Sequence, residues 1–157
     1  MSLNLIIGSD HRGVSTRMKL TEYLRQKGYS VTEFGPALDA ASPTDYPDVA
    51  AEIARSISRG ENDRGILICG TGIGMCIAAN KFPGIQAAPV IDELSAELSR
   101  RHNNLNILCL AGDMLNEEQM MQIVQIWLTV PFDGGRHERR IEKIRLLEKQ
   151  LGLVHSG

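Results

Sequence analysis

The chain has 157 residues, with 17 Lys and Arg against 19 Asp and Glu, for a net charge of −2 when the histidines are neutral. That length suits one domain with a full core, and the charge balance gives no long-range pull toward nucleic acid or an anionic membrane. Aromatic residues are only 4% of the chain, too few for the stacking platforms that grip single-stranded nucleic acid. The three cysteines, Cys69, Cys76 and Cys109, lack C-x-x-C spacing and cannot all pair, so a reducing, cytoplasmic location is expected. Met1 to Leu3 open no signal peptide, and no apolar run nears the roughly 18 residues of a membrane span.

Taken in order, Leu3 to Ile7 is an apolar strand ended by Gly8, and Ser9 to Gly13 is a polar turn. A helix follows from Val14 to Lys27 with Val14, Met18 and Leu24 on one face, stopped by Gly28. Tyr29 to Phe34 alternates as a second strand, closed by Gly35-Pro36, and residues 37–45 form a loop. Pro47 suits the first turn of a helix that carries Val49, Ala50, Ile53, Ala54 and Ile57 and stops at Gly60. Gly65 to Cys69 is a short β-branched run that reads as a fully buried strand. A Gly-rich turn and a helix to about Lys81 follow. Gly84 to Val90 reads as a fourth strand. Asp92 caps a helix through Arg101 with Leu94 and Leu98 inward, and Asn106 to Ala111 is a fifth strand. Asn116 and Gln119 resemble a capping box for a helix that ends near Leu128. Pro131 and Gly134-Gly135 break the chain before a last helix, residues 137–151, with Ile141, Ile144, Leu147 and Leu151 as its apolar stripe.

Alternating strands and helices predict a single α/β domain over residues 1–157: a five-stranded parallel sheet covered on both faces, with right-handed crossovers and an extra C-terminal helix. The apolar stripe of that helix, flanked by a strongly charged face, suits packing on a partner subunit as well as on its own. Ligands of such sheets bind outside the carboxyl ends of the strands, which throws together Asp10-His11-Arg12 and the stretch from Cys69 to Gly74.

That stretch organises the candidate chemistry. A strand running into alternate glycines (Gly70, Gly72, Gly74) and a helix points bare N–H groups and the helix dipole at one spot, an anion pocket. Cys69 stands beside it, where those amides favour a thiolate. The bland alternative is a strand–helix junction that needs glycine for packing alone. The spacing is neither the dinucleotide fingerprint nor a Walker A loop. Cys76 and Cys109 read as inert core, Asp10-His11 as either functional or an ordinary polar turn, and His102 as a helix-end histidine. Arg136, His137, Arg139 and Arg140 crowd the start of the last helix, where cations are disfavoured, so an anionic ligand or a solvated patch balanced by Glu138 and Glu142 is expected there. No Cys, His and acid cluster has metal-ligand spacing. An amide pocket, a thiolate, a carboxylate, histidines and an arginine pair suit proton transfer beside the carbonyl of a phosphorylated substrate.

Ordered blocks along the chain resemble the ribose-5-phosphate isomerase B family, which includes the galactose-6-phosphate isomerase subunits. They are Gly8-Ser9-Asp10-His11-Arg12-Gly13, Thr44-Asp45-Tyr46-Pro47, Ile68-Cys69-Gly70-Thr71-Gly72-Ile73-Gly74 with Ala78-Ala79-Asn80-Lys81, Ser99-Arg100-Arg101-His102-Asn103-Asn104, and Gly134-Gly135-Arg136-His137. The resemblance implies a Rossmann-like three-layer α/β/α sandwich, a homodimer or homotetramer with active sites at the dimer interface, no metal or nucleotide cofactor, and aldose–ketose isomerisation through a cis-enediolate. Carried over by position, Cys69 is the base, and Thr71 with the amides of Gly70, Gly72 and Gly74 holds the enediolate oxygen. His102, assisted by Asp10, opens the sugar ring. His11, Arg136 and Arg140 take the phosphate, and Asn103 and Tyr46 contact hydroxyls. Members that use a Glu base carry it where Met75 stands here, which places this chain with the cysteine type. It departs from the commoner pattern at Asn104, often Asp, and at Asp113, often Arg.

Ribose 5-phosphate to ribulose 5-phosphate is the expected conversion. A six-carbon sugar phosphate such as galactose 6-phosphate or allose 6-phosphate is the alternative. Two readings of other kinds stand beside it: a Cys–His hydrolase with Cys69 as nucleophile, and a phosphosugar-binding module without chemistry.

Overall fold

A computed structural model of the chain describes residues 3–152. Five strands and six helices alternate: β1 (Asn4–Ser9), α1 (Val14–Gln26), β2 (Ser30–Phe34), α2 (Tyr46–Ser58), β3 (Arg64–Cys69), α3 (Ile73–Ala79), β4 (Ala87–Pro89), α4 (Glu93–Asn103), β5 (Ile107–Ala111), α5 (Glu117–Thr129) and α6 (Arg136–Gln150). The sheet is wholly parallel in the order β2-β1-β3-β5-β4, the α/β sandwich that the alternation predicts.

Side chains along each central strand point alternately to the two faces. Leu5, Ile7, Ile66, Ile68, Leu108 and Leu110 join one core with α1, α4 and α5. Ile6, Leu67, Cys69, Ile107 and Cys109 join the other with α2 and α3. Cys69 therefore looks toward the α2–α3 layer, and its register alone sets that.

Several elements differ from the sequence reading. β1 runs on through Gly8 to Ser9, because Gly8 lets α2 lie against the strand; a Cβ there would meet Val49 at 2.8 Å. β4 shrinks to three residues. Residues 84–86 are held by side chains instead: Asn106 donates to the carbonyl of Gly84 at 2.8 Å and accepts from the N–H of Gln86 at 2.8 Å. Leu94 and Leu98, expected inward, are 64% and 37% exposed, and Ala96 and Arg100 take the buried face of α4. Met18 also faces out. Of the α6 stripe only Ile141 is buried; Ile144 and Leu147 are exposed, as is Leu151 just beyond the helix. Both expected capping residues are present: Asp92 and Asn116 each close a reciprocal capping box.

Trp127 is wholly buried, donates from Nε1 to the carbonyl of Leu105 at 3.2 Å, and lies under the guanidinium of Arg64 at 5.3 Å. Trp127→Ala is expected to cost about 3–5 kcal/mol of unfolding free energy, measurable by chemical denaturation.

Candidate active site

Strand order decides where the chemistry sits. The chain crosses from β1 outward to β2 and then back past β1 to β3, so a crevice opens outside the carboxyl ends of β1 and β3. Pairing continues beyond the strands there: the N–H of Asp10 donates to Ile68 at 3.3 Å, that of Gly112 to Cys69 at 2.8 Å and that of Asp113 to Gly70 at 3.0 Å. The loops after β1, β3 and β5 thus form one rim.

Cys69, 6% exposed, ends β3 at that rim. Gly72 has φ of 74°, in the left-handed region that glycine enters at low cost, and its N–H donates to Sγ of Cys69 at 3.2 Å. Gly74 lies against the ring of Tyr46, which an added Cβ would meet at 2.6 Å. Thr71 is exposed and its hydroxyl accepts from the N–H of Ile73 at 3.3 Å. Met75 is wholly buried in the core.

Asp10 is buried and its Oδ1 accepts from the N–H groups of Arg12 and Gly13 at 3.0 and 3.3 Å, which builds the turn that enters α1. His11 stands exposed beside it, with Nδ1 accepting from the N–H of Thr44 at 3.3 Å. A pair that the sequence alone left unlinked also closes here: Arg12 reaches Asp113 at 2.5 Å, across from Gly70.

The remaining candidates lie elsewhere. His102 and Asn103 end α4, and Arg136 and Arg140 begin α6. Both segments meet at the amino-terminal edge of the sheet, where the N–H of Asp133 donates to Arg101 at 3.1 Å and that of Leu105 to Ser99 at 3.1 Å. The five residues of β5, about 16 Å of strand, separate this edge from the rim around Cys69. Within one chain the structure brings together Asp10, His11, Tyr46, Cys69 and Thr71, and keeps His102, Asn103, Arg136 and Arg140 apart from them.

At that second edge the rings of His102 and His137 stack at 4.3 Å with 6° between planes. Donor atoms of His102, Asp133 and His137 lie within 4.8 Å of one another, a cluster that linear spacing did not reveal. Parallel rings hold their in-plane lone pairs side by side rather than convergent, Arg101 reaches Asp133 at 3.5 Å, and Arg136 donates to His137 at 3.4 Å. Such surroundings favour an anion over a cation. Desolvation, then His102, Arg136 and Arg140, lower the pKa of His137 against the opposing pull of Asp133.

Cys76 packs against the α2–α3 core and donates to the carbonyl of Ala87 at 3.3 Å. It is half-buried, and hydrogen bonds from Cys109 and Asn80 draw its thiol down to about 7 against the opposing effect of burial. The bond to Cys76, with burial, pushes Cys109 well up. Asn80 also pairs with both backbone groups of Ala87, at 2.8 and 2.9 Å, and so splices α3 to the edge strand.

A model of the ribose/galactose isomerase family matches residues 5–144. The chain belongs to that family, whose members are sugar-phosphate isomerases. It is 39% identical to the ribose-5-phosphate isomerase B of Escherichia coli, over 93% of this chain and 97% of that protein. It is 40% identical to the D-erythrulose-4-phosphate isomerase of Pectobacterium atrosepticum, over 94% and 97%. The crystal structure of ribose-5-phosphate isomerase B from Mycoplasma genitalium with bound ribulose-5-phosphate superposes with a TM-score of 0.90, at 43% identity, over 96% of this chain and 99% of that one. No described helix is long and apolar enough to cross a membrane.

The lowered pKa of His137 has a sign in stability. The unfolded histidine, at its ordinary 6.5, takes up its proton before the folded one does as pH falls. The unfolded state then binds more protons, and stability drops. Thermal melts from about pH 7 to pH 5 should therefore show a steeper loss of Tm for the wild type than for His137→Asn. Parallel profiles would contradict this.

Proposed function

We propose that the chain interconverts ribose 5-phosphate and ribulose 5-phosphate through a cis-enediolate, with Cys69 as the base. The observation that carries this reading is Sγ of Cys69 at the carboxyl end of β3, held by the N–H of Gly72 at 3.2 Å beside the glycine turn. In the forward direction the thiolate takes the proton from C2, and the C2–H electron pair forms the C1–C2 double bond as negative charge moves onto O1. The amides from Gly70 to Gly74 and the hydroxyl of Thr71 stabilise that oxyanion. The thiol returns its proton to C1, and the oxygens exchange theirs, so the step needs no redox partner.

Ring opening needs a proton donor at the ring oxygen, and the phosphate needs cations. His102, Arg136 and Arg140 supply these, with Asn103 on a hydroxyl, but they stand at the far edge of the same chain. The reading therefore includes a second copy of this chain, set so that the α4–α6 edge of one faces the Cys69 rim of the other. Ile73 and Ile77 of α3 and Leu94 and Leu98 of α4 are exposed and supply apolar side chains suited to such a contact, as does the exposed part of the α6 stripe. His11 completes the phosphate end from the Cys69 side, while Asp10 supports the loop that presents it.

Asp113 bears on substrate length. It occupies Arg12, so the rim offers one free cation fewer, and a relative named for a four-carbon sugar phosphate is 40% identical. The substrate panel should include erythrulose 4-phosphate, allose 6-phosphate and galactose 6-phosphate beside ribose 5-phosphate.

Turnover of ribose 5-phosphate in deuterated water should place deuterium at the transferred position, and Cys69→Ala should lower kcat by about 10³-fold or more with the fold intact. Turnover in Cys69→Ala within tenfold of wild type would remove Cys69 as base. Turnover confined to another sugar in the panel would keep the mechanism and move the substrate.

A further inference from the structure

His137 stands in the first turn of α6 with its side chain buried, and the proposed reaction makes no use of it. Its N–H donates to the carbonyl of Gly134 at 3.0 Å, and the N–H of Asp133 donates to that of Arg101 at 3.1 Å. The turn before α6 is thereby tied to the last turn of α4. That tie sets two imidazoles face to face: the rings of His102 and His137 lie 4.3 Å apart with 6° between their planes. Among the described residues no hydrogen bond holds the ring of His102, so the stack is what sets its plane.

The far side of the stack is anchored as well. Nε of Arg136 donates to Nε2 of His137 at 3.4 Å. An arginine can only donate, so Nε2 is the acceptor and the ring proton of His137 sits on Nδ1. A guanidinium carries five donors in one plane, and engaging it through Nε leaves both terminal nitrogens for an anion. Two stacked imidazolium rings would repel one another. His137 is the member kept neutral, because burial, then His102, Arg136 and Arg140, disfavour its protonation against the pull of Asp133. The ring of His102 is half-buried and reaches solvent.

We propose that His137 is a positioning residue for ring opening: a neutral plate that fixes the ring plane of His102 and couples it to the phosphate-binding Arg136. This rests on the assignment of His102 and Arg136 under the isomerase reading. An acid that delivers a proton to a ring oxygen works only when its donor nitrogen is held in line with that oxygen. His102 has no other support for that alignment. Phosphate on Arg136 and the sugar ring under His102 are then sensed through one side chain.

The test separates ring opening from proton transfer at carbon. Ribulose 5-phosphate has no ring, since the hydroxyl that could close a five-membered ring onto C2 carries the phosphate. Washout of its C1 hydrogen into deuterated water therefore needs Cys69 but not His102. In His137→Ala, kcat for ribose 5-phosphate should fall about tenfold or more with a raised KM, while C1 washout stays within about twofold of wild type. His137→Phe keeps a flat ring but offers Arg136 no acceptor, so it should recover kcat and retain the raised KM. In NMR spectra the ring protons of His102 should lie upfield through the current of the stacked ring, move downfield in His137→Ala and return in His137→Phe. A kcat for His137→Ala within about twofold of wild type, an equal loss of turnover and washout, or His102 signals that ignore the substitution would each overturn the proposal. Failure of the isomerase reading is told apart, because the wild type would then show neither turnover nor washout. The His102 signals would still decide whether His137 sets that ring.

Discussion

The parallel pairing of β3 between β1 and β5 is the constraint on which the rest depends. Residues 65 to 68 match β1 on one side and β5 on the other, and backbone hydrogen bonds carry that match past the strand ends into three loops. Cys69 faces the α2–α3 layer only because Leu67 does, and Gly72 can turn its N–H toward the sulfur only because the strand stops there. A one-residue slip of β3 would move Cys69 to the opposite face and separate it from the amides that make its sulfur useful.

Polar side chains stabilise what the short elements cannot. Arg17, buried under the β2 loop, donates to Ser9 at 2.9 Å and to the carbonyl of Pro36 at 2.7 Å. Asn80 and Asn106 replace missing strand pairs around the three-residue β4. Each bonds backbone groups that would otherwise lack partners in or near the core, and losing such a partner costs more than the bond itself contributes.

Much of the fold was legible in the sequence because the signals were local. Apolar runs bounded by glycine marked β1, β3 and β5, and Asp92 and Asn116 marked helix starts through reciprocal caps. The misreadings share a cause. Met18, Leu94 and Leu98 are apolar yet exposed, and helical periodicity cannot tell a face turned to the chain's own core from one turned to another molecule. In the site, Cys69 and the glycine turn were readable because a strand end and its loop are contiguous. The links of Arg12 to Asp113, of Cys76 to Cys109 and of His102 to His137 were not, since each joins residues from 33 to 101 positions apart. The identity of the candidate residues came from resemblance to a family, and their division between two edges came only from topology.

That division is the central claim: a base at one edge and an acid with its cations at the other, complete only when two copies meet. The most direct measurement mixes two variants, Cys69→Ala and His102→Asn, each inactive alone, after unfolding and refolding them together. In a symmetric dimer half of the molecules are mixed and each of these holds one intact site, so about a quarter of wild-type activity should return. Mixtures as inactive as the separate variants would place Cys69 and His102 in the same chain's site and contradict the account.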